Sequence, residues 1–126
     1  VQRTIVDDGL LANVRERGRQ LRERLEKRFA GSPQVGDIRG RGLFLGVEFV
    51  KDRETREPSA GGAALTAALK QEGFRRGLLL YPGHGTVDGE VGNHVLFAPP
   101  FIITEAGIDE LVDRFGAVVD TCLNRD

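Results

Sequence analysis

Val35-Gly36-Asp37-Ile38-Arg39-Gly40-Arg41-Gly42-Leu43-Phe44-Leu45-Gly46-Val47-Glu48-Phe49-Val50 is the stretch whose reading decides the fold. Side chains alternate between the two faces of a strand. From Leu43 onward that alternation puts Leu43, Leu45, Val47 and Phe49 on one face and Phe44, Gly46, Glu48 and Val50 on the other. The pattern predicts strands over 35–39 and 43–50. Gly40-Arg41-Gly42 between them has hairpin-turn chemistry. A hairpin with one apolar face needs a covering layer, and the flanking sequence supplies helices to make it.

Upstream, Leu10, Val14, Gly18, Leu21, Leu25 and Phe29 recur at helical spacing, which predicts one long helix over 4–30. Gly31-Ser32-Pro33 ends it. Downstream, 51–59 reads as a charged loop. A second helix is predicted over 63–76, with Ala64, Leu65, Ala68 and Leu69 inward and Gly77 as its stop. Strands are predicted over 78–81 and 94–98, separated by the glycine-rich segment 82–93, a length of loop that is usually functional or mobile. Thr104 is a good N-cap for a last helix over 105–123, with Ile108, Leu111, Val112, Phe115, Val119 and Cys122 on its buried stripe. The order α-β-β-α-β-β-α gives an α+β class: an antiparallel sheet of about four strands covered by three helices.

Composition narrows the function classes. The chain has 126 residues, 40% of them hydrophobic and 29% charged, with a net charge of −1. That excludes a disordered chain and gives no bulk electrostatic reason to expect nucleic acid or an anionic membrane as partner. One domain, residues 1–126, is expected. The chain lacks methionine and begins Val1-Gln2-Arg3, so we expect a segment of something longer. The single cysteine, Cys122, cannot form an internal disulfide, which makes a reducing, cytoplasmic setting the expectation.

Few residues carry obvious chemistry. His84 and His94 flank a loop with Asp88 and Glu90 between them, but the spacing matches no known metal site, and two polar loop residues are the better reading. Arg39-Gly40-Arg41-Gly42 is better read as a turn than as an RGG-type nucleic-acid fragment. The glycine loop lacks the GxGxxG spacing and the following helix of a phosphate site. Cys122 reads as an inert core residue, and Glu48 as an acid with an arginine partner or an exposed edge position. From the residues alone, a ligand-binding or dimerisation module stays open beside an enzyme fragment.

Several runs, in order, resemble one family. The run 35–48 resembles the VGDVRGxGLFxGxE hairpin of class-III pyridoxal-phosphate aminotransferases. Gly77-Leu78-Leu79-Leu80-Tyr81-Pro82-Gly83 resembles the next strand of their carboxy-terminal domain, and Val95-Leu96-Phe97-Ala98-Pro99-Pro100 with the run to Thr104 resembles its last strand and capped helix. The resemblance implies a fold-type-I homodimer of which this chain is the small C-terminal domain, inactive alone, with the cofactor domain upstream as its partner. It implies that the parent transfers an amino group by a ping-pong route between an amine or amino acid and a keto acid, with pyridoxal 5′-phosphate as electron sink. In the family, the Schiff-base lysine and the phosphate-cup residues lie upstream. None of Lys27, Lys51 and Lys70 sits in a matching motif, so neither a catalytic nor a cofactor-binding residue nor a metal ligand is assigned here.

The resemblance also implies that this domain closes one wall of the substrate pocket. Tyr81, His84, Asp88 and Asn93, in and beside the glycine loop, are the candidate lining residues. Two departures stand out. Where many family members carry a carboxylate-binding arginine, three positions before the Pro-Pro pair, this chain has Leu96. Where amine-preferring members often carry a mobile arginine, about ten positions before that pair, it has Gly89. A bidentate carboxylate clamp is missing from both places. We therefore expect a less charged amine, or a carboxylate bound otherwise.

Overall fold

The hydrophobic alternation of 43–50 becomes the central strand of the sheet. In the computed structural model, which describes residues 1–123, the elements are α1 (Gln2–Asp7), α2 (Leu10–Phe29), β1 (Val35–Arg41), β2 (Phe44–Asp52), β3 (Glu57–Pro58), α3 (Gly62–Arg75), β4 (Tyr81–His84), β5 (Asn93–Phe97) and α4 (Glu105–Leu123). The main sheet runs β1-β2-β5-β4, with β3 paired to the far end of β2, and every pairing is antiparallel. The α+β class and antiparallel sheet match the sequence reading, with β3 and α1 as additions.

Leu43, Leu45, Val47 and Phe49 are all buried, as the alternation requires. Val95 and Phe97 of β5 extend this inner face, and Leu21, Leu25, Leu69, Ile108 and Phe115 cover it from the helices. Phe115 is central: its ring meets Phe97 edge-on at 4.8 Å and Phe29 at 5.6 Å. Such T-shaped contacts add to the area each ring buries. All three long helices therefore lie on one side of the sheet, and its other face stays open.

Four boundaries depart from the sequence reading, each for a local reason. The opening helix is not continuous over 4–30. Gly9 adopts φ 61, so α1 ends and α2 starts again from the Gly9 carbonyl, which accepts from the amides of Ala12 and Asn13. The hairpin turn falls at Gly42-Leu43, with Arg41 opposite Phe44. Gly42, at φ 58, stands at the first central position, where two-residue hairpins of the II′ kind place glycine.

The third strand begins at Tyr81 rather than Leu78. The Leu78 amide bonds the Gly73 carbonyl at 2.8 Å and the Gly77 amide bonds that of Phe74 at 3.0 Å, with Gly77 at φ 73. This is a Schellman closure of α3, which takes Leu78 into the helix end before any strand can start. Pro82 is tolerated in β4 because β4 is an edge strand. The following strand is likewise shifted by one residue, to Asn93–Phe97. In α3, Ala64 is exposed instead of inward, while Leu69 and Gly73 are buried. Leu111 and Cys122 of α4 are half-buried. Among the described residues no helix is long and apolar enough to cross a membrane.

Candidate functional site

The open face is built by the residues that alternate with the core. Strand pairing sets Arg39 beside Gly46, Gly46 beside Leu96, and Leu96 beside Tyr81. One step along the strands, Asp37 pairs with Glu48, Glu48 with His94, and His94 with Gly83. Arg41 stands opposite Phe44 at the turn end. Gly46 has no side chain to raise the floor, and a Cβ there would already lie 3.4 Å from Leu96 Cδ2.

Two cavities meet on this face and share Phe44 and Leu96. The larger, about 870 Å³, runs from Phe44 past Leu79 and Tyr81 to Pro100 and Ile103, and on over the sheet edge to Gly107, Leu111 and Arg114 of α4. The smaller, about 320 Å³, is bordered by Arg39, Glu48, Thr86 and His94. Phe44 is 60% and Tyr81 73% exposed, a large apolar and aromatic surface to leave open. The charge here is paired. Arg39 Nη1 donates to Glu48 Oε2 at 2.7 Å and to Asp37 Oδ2 at 2.9 Å. Those two carboxylates, Glu48 first, push the Arg39 guanidinium pKa up from its ordinary value. Glu48 thus has the arginine partner expected of a strand acid.

The four residues singled out from the sequence do not share one surface. Tyr81 is on the open face. Asn93 is 0% exposed on the inner face. Its Nδ2 donates to the Gly62 carbonyl at 2.8 Å and to Thr66 Oγ1 at 3.2 Å, and its Oδ1 accepts from Ser59 Oγ at 3.0 Å. His84 pairs with Asn93 across the hairpin and its Nδ1 lies 3.2 Å from the same Thr66 hydroxyl. Together they tie the hairpin to the start of α3.

Asp88 sits in the loop, where its Oδ1 accepts from the amides of Val91 at 2.8 Å and Glu90 at 2.9 Å. These bonds favour the ionised carboxylate and hold its pKa below the ordinary value. The loop is a folded hairpin end rather than a loose connector: the Gly85 amide bonds the Gly92 carbonyl at 2.9 Å. His84 and His94 point to opposite faces, and among the described residues no group of three or more His, Cys, Asp and Glu is placed to hold a metal ion.

Sequence reasoning passed over Phe44 and His94 as wall residues. The period-two alternation already set Phe44 opposite the core, so that signal was available. The face of His94 depends on the β2–β5 register, which no local pattern reveals.

The hairpin, the Pro-Pro break and the one-sided sheet point to a single family. Residues 1–119 match the aminotransferase class-III family, and the chain belongs to it. It is 43% identical over 119 residues to an uncharacterized aminotransferase of Schizosaccharomyces pombe, covering 94% of this chain and 26% of that protein. It is 40% identical over 107 residues to a taurine–pyruvate aminotransferase of Bilophila wadsworthia, covering 83% of this chain and 22% of that one. Among solved structures, a Bacillus anthracis aminotransferase superposes with a TM-score of 0.84 at 28% identity, over 94% of this chain and 26% of that chain. The chain thus spans about a quarter of the length of the relatives it matches.

Proposed function

We propose that residues 1–126 are the C-terminal small domain of a pyridoxal-phosphate-dependent aminotransferase, and that the open sheet face is part of its substrate-pocket wall. The observation that carries this reading is the one-sided covering of the sheet. Three helices bury the inner face, while Phe44, Tyr81 and Leu96 stand on the other and line a trough that extends over the sheet edge to α4. Leu96 is also the position at which the family resemblance places a carboxylate-binding arginine. Among the lining candidates, Tyr81 borders the trough directly. Asp88 shapes the loop beside it, and His84 and Asn93 hold that loop's base to α3.

Class-III aminotransferases use pyridoxal 5′-phosphate. The residues present in this chain do not fit it as a resident group. Lys27, Lys51 and Lys70 are all exposed, Lys51 is paired with Glu57 at 2.8 Å, and none of the three borders the trough. The lysine and the phosphate cup belong, on this reading, to an upstream cofactor domain of the same polypeptide, the domain's principal partner within a homodimer. This chain's part is to shape and close the wall and to select the small amine or keto acid that fits. With Leu96 and Gly89 at the two arginine positions, the preferred donor is an amine of low charge.

The test is a panel of amine donors against keto acids with the full-length protein and with this chain alone. Transamination by the full-length protein, and none by the isolated chain, is the expected result. Activity in the isolated chain would refute the division of labour. Strong preference for ornithine or glutamate through an arginine of this domain would refute the specificity reading.

A further inference from the structure

We propose that His94 is a specificity residue of this wall, donating from Nε2 to one uncharged acceptor on an otherwise apolar amine. The inference rests on the open face being the substrate wall, and it adds the chemical class that the wall selects. The imidazole is held in place by its neighbours. It stands between Glu48 of β2 and Gly83 of β4. A Cβ on Gly83 would come within 2.6 Å of His94 Cε1 and 2.8 Å of Nε2, so the ring lies over that bare backbone.

The two ring nitrogens differ. Nδ1 is buried without a hydrogen-bond partner. A proton there would leave an unpaired N–H in the interior, whereas a proton on Nε2 leaves only an unpaired lone pair. The neutral ring therefore carries its hydrogen on Nε2, for which no described residue is an acceptor. His94 borders the 320 Å³ cavity, whose other side-chain walls include Phe44, Leu96, Thr86 and the Arg39–Glu48 pair. Arg39 Nη1 is shared between Glu48 at 2.7 Å and Asp37 at 2.9 Å, so an incoming carboxylate would meet two acids around that one guanidinium. Arg41 lines a different groove, beside α2. What remains is a slot with Phe44 and Leu96 as its apolar walls and two hydrogen-bonding groups outside the ion pair, His94 Nε2 and the Thr86 hydroxyl. The fitting substrates are amines carrying a single ether, amide or hydroxyl oxygen.

The experiment uses the full-length holoenzyme with two amines of equal length, one carrying an ether oxygen and one a methylene at the same position. Wild type should prefer the ether amine by roughly tenfold in kcat/KM, the scale of one hydrogen bond. His94→Phe should remove that preference, mainly through a higher KM for the ether amine. His94→Gln, which keeps a donor, should restore part of it. Equal effects of His94→Phe on both amines, or no preference in wild type, would overturn the proposal while leaving an active aminotransferase. Loss of transamination with every amine in the wild-type protein would instead overturn the aminotransferase reading, and this inference with it.

Discussion

Asn93 of β5 holds the first turn of α3 to the sheet: its Nδ2 donates to the Gly62 carbonyl at 2.8 Å. The same amide receives the Ser59 hydroxyl and reaches Thr66, so one buried side chain joins a loop, a helix and a strand. Asn93→Ala would leave these partners unpaired away from water. We expect a loss of about 3 kcal/mol, read from urea denaturation of this chain. A loss under about 0.5 kcal/mol would show that water replaces the amide freely.

Helix α2 crosses the hairpin turn backbone against backbone. A side chain on Gly18 would overlap the Gly42 carbonyl group, and neither backbone segment can move without shifting the sheet. Gly18→Ala should therefore destabilise by about 2 kcal/mol. Gly31, where a Cβ meets nothing within 4 Å, is the control, and Gly31→Ala should change stability by less than about 1 kcal/mol. Equal midpoints for the two variants would remove the close approach from the account.

Phe115 joins the α2, α4 and β5 layers through its contacts with Phe29 and Phe97. Phe115→Ala should cost about 4 kcal/mol, as a large cavity in a packed core does, and Phe115→Leu much less. Thermal unfolding of the two variants gives the comparison.

Acid sensitivity should be centred on Glu72. Hydrogen bonds from Arg75 first and Arg76 second lower its pKa from 4.5 to about 2. A lowered folded-state pKa gives stability that is present above the unfolded value and is lost as pH falls through the folded one. The Glu72 contribution should thus be complete above pH 4.5 and fade toward about 2. Glu72→Gln should flatten the stability profile in that window and leave its slope above pH 5 unchanged. An unaltered acid limb would show that these surface pairs do not couple to folding.

The hairpin of 35–50 was legible because alternation is local: each residue's face follows from its neighbour's. The α4 stripe was legible for the same reason, at helical period. The start of β4 was not, because the Leu78–Tyr81 run is strand-like in composition while the Leu78 amide is bound by the end of α3. The break at Gly9 was not legible because the apolar stripe begins only at Leu10 and carries no information on the residues before it. For the candidate residues, proximity in sequence did not mean a shared surface. His84 and Asn93 flank the loop yet face the helices, while Leu96 and Tyr81, fifteen positions apart in numbering, meet across a register only the folded sheet defines.

The most direct test of the central claim is the Leu96→Arg variant of the full-length protein. If the open face is the substrate wall, an arginine at this position projects into the trough beside Tyr81 and Phe44. The ratio of kcat/KM for an amino donor with a distal carboxylate to that for an uncharged amine of equal length should rise at least tenfold over wild type, about 1.4 kcal/mol of altered discrimination. An unchanged ratio in a folded, active variant would contradict the placement of the substrate against this face.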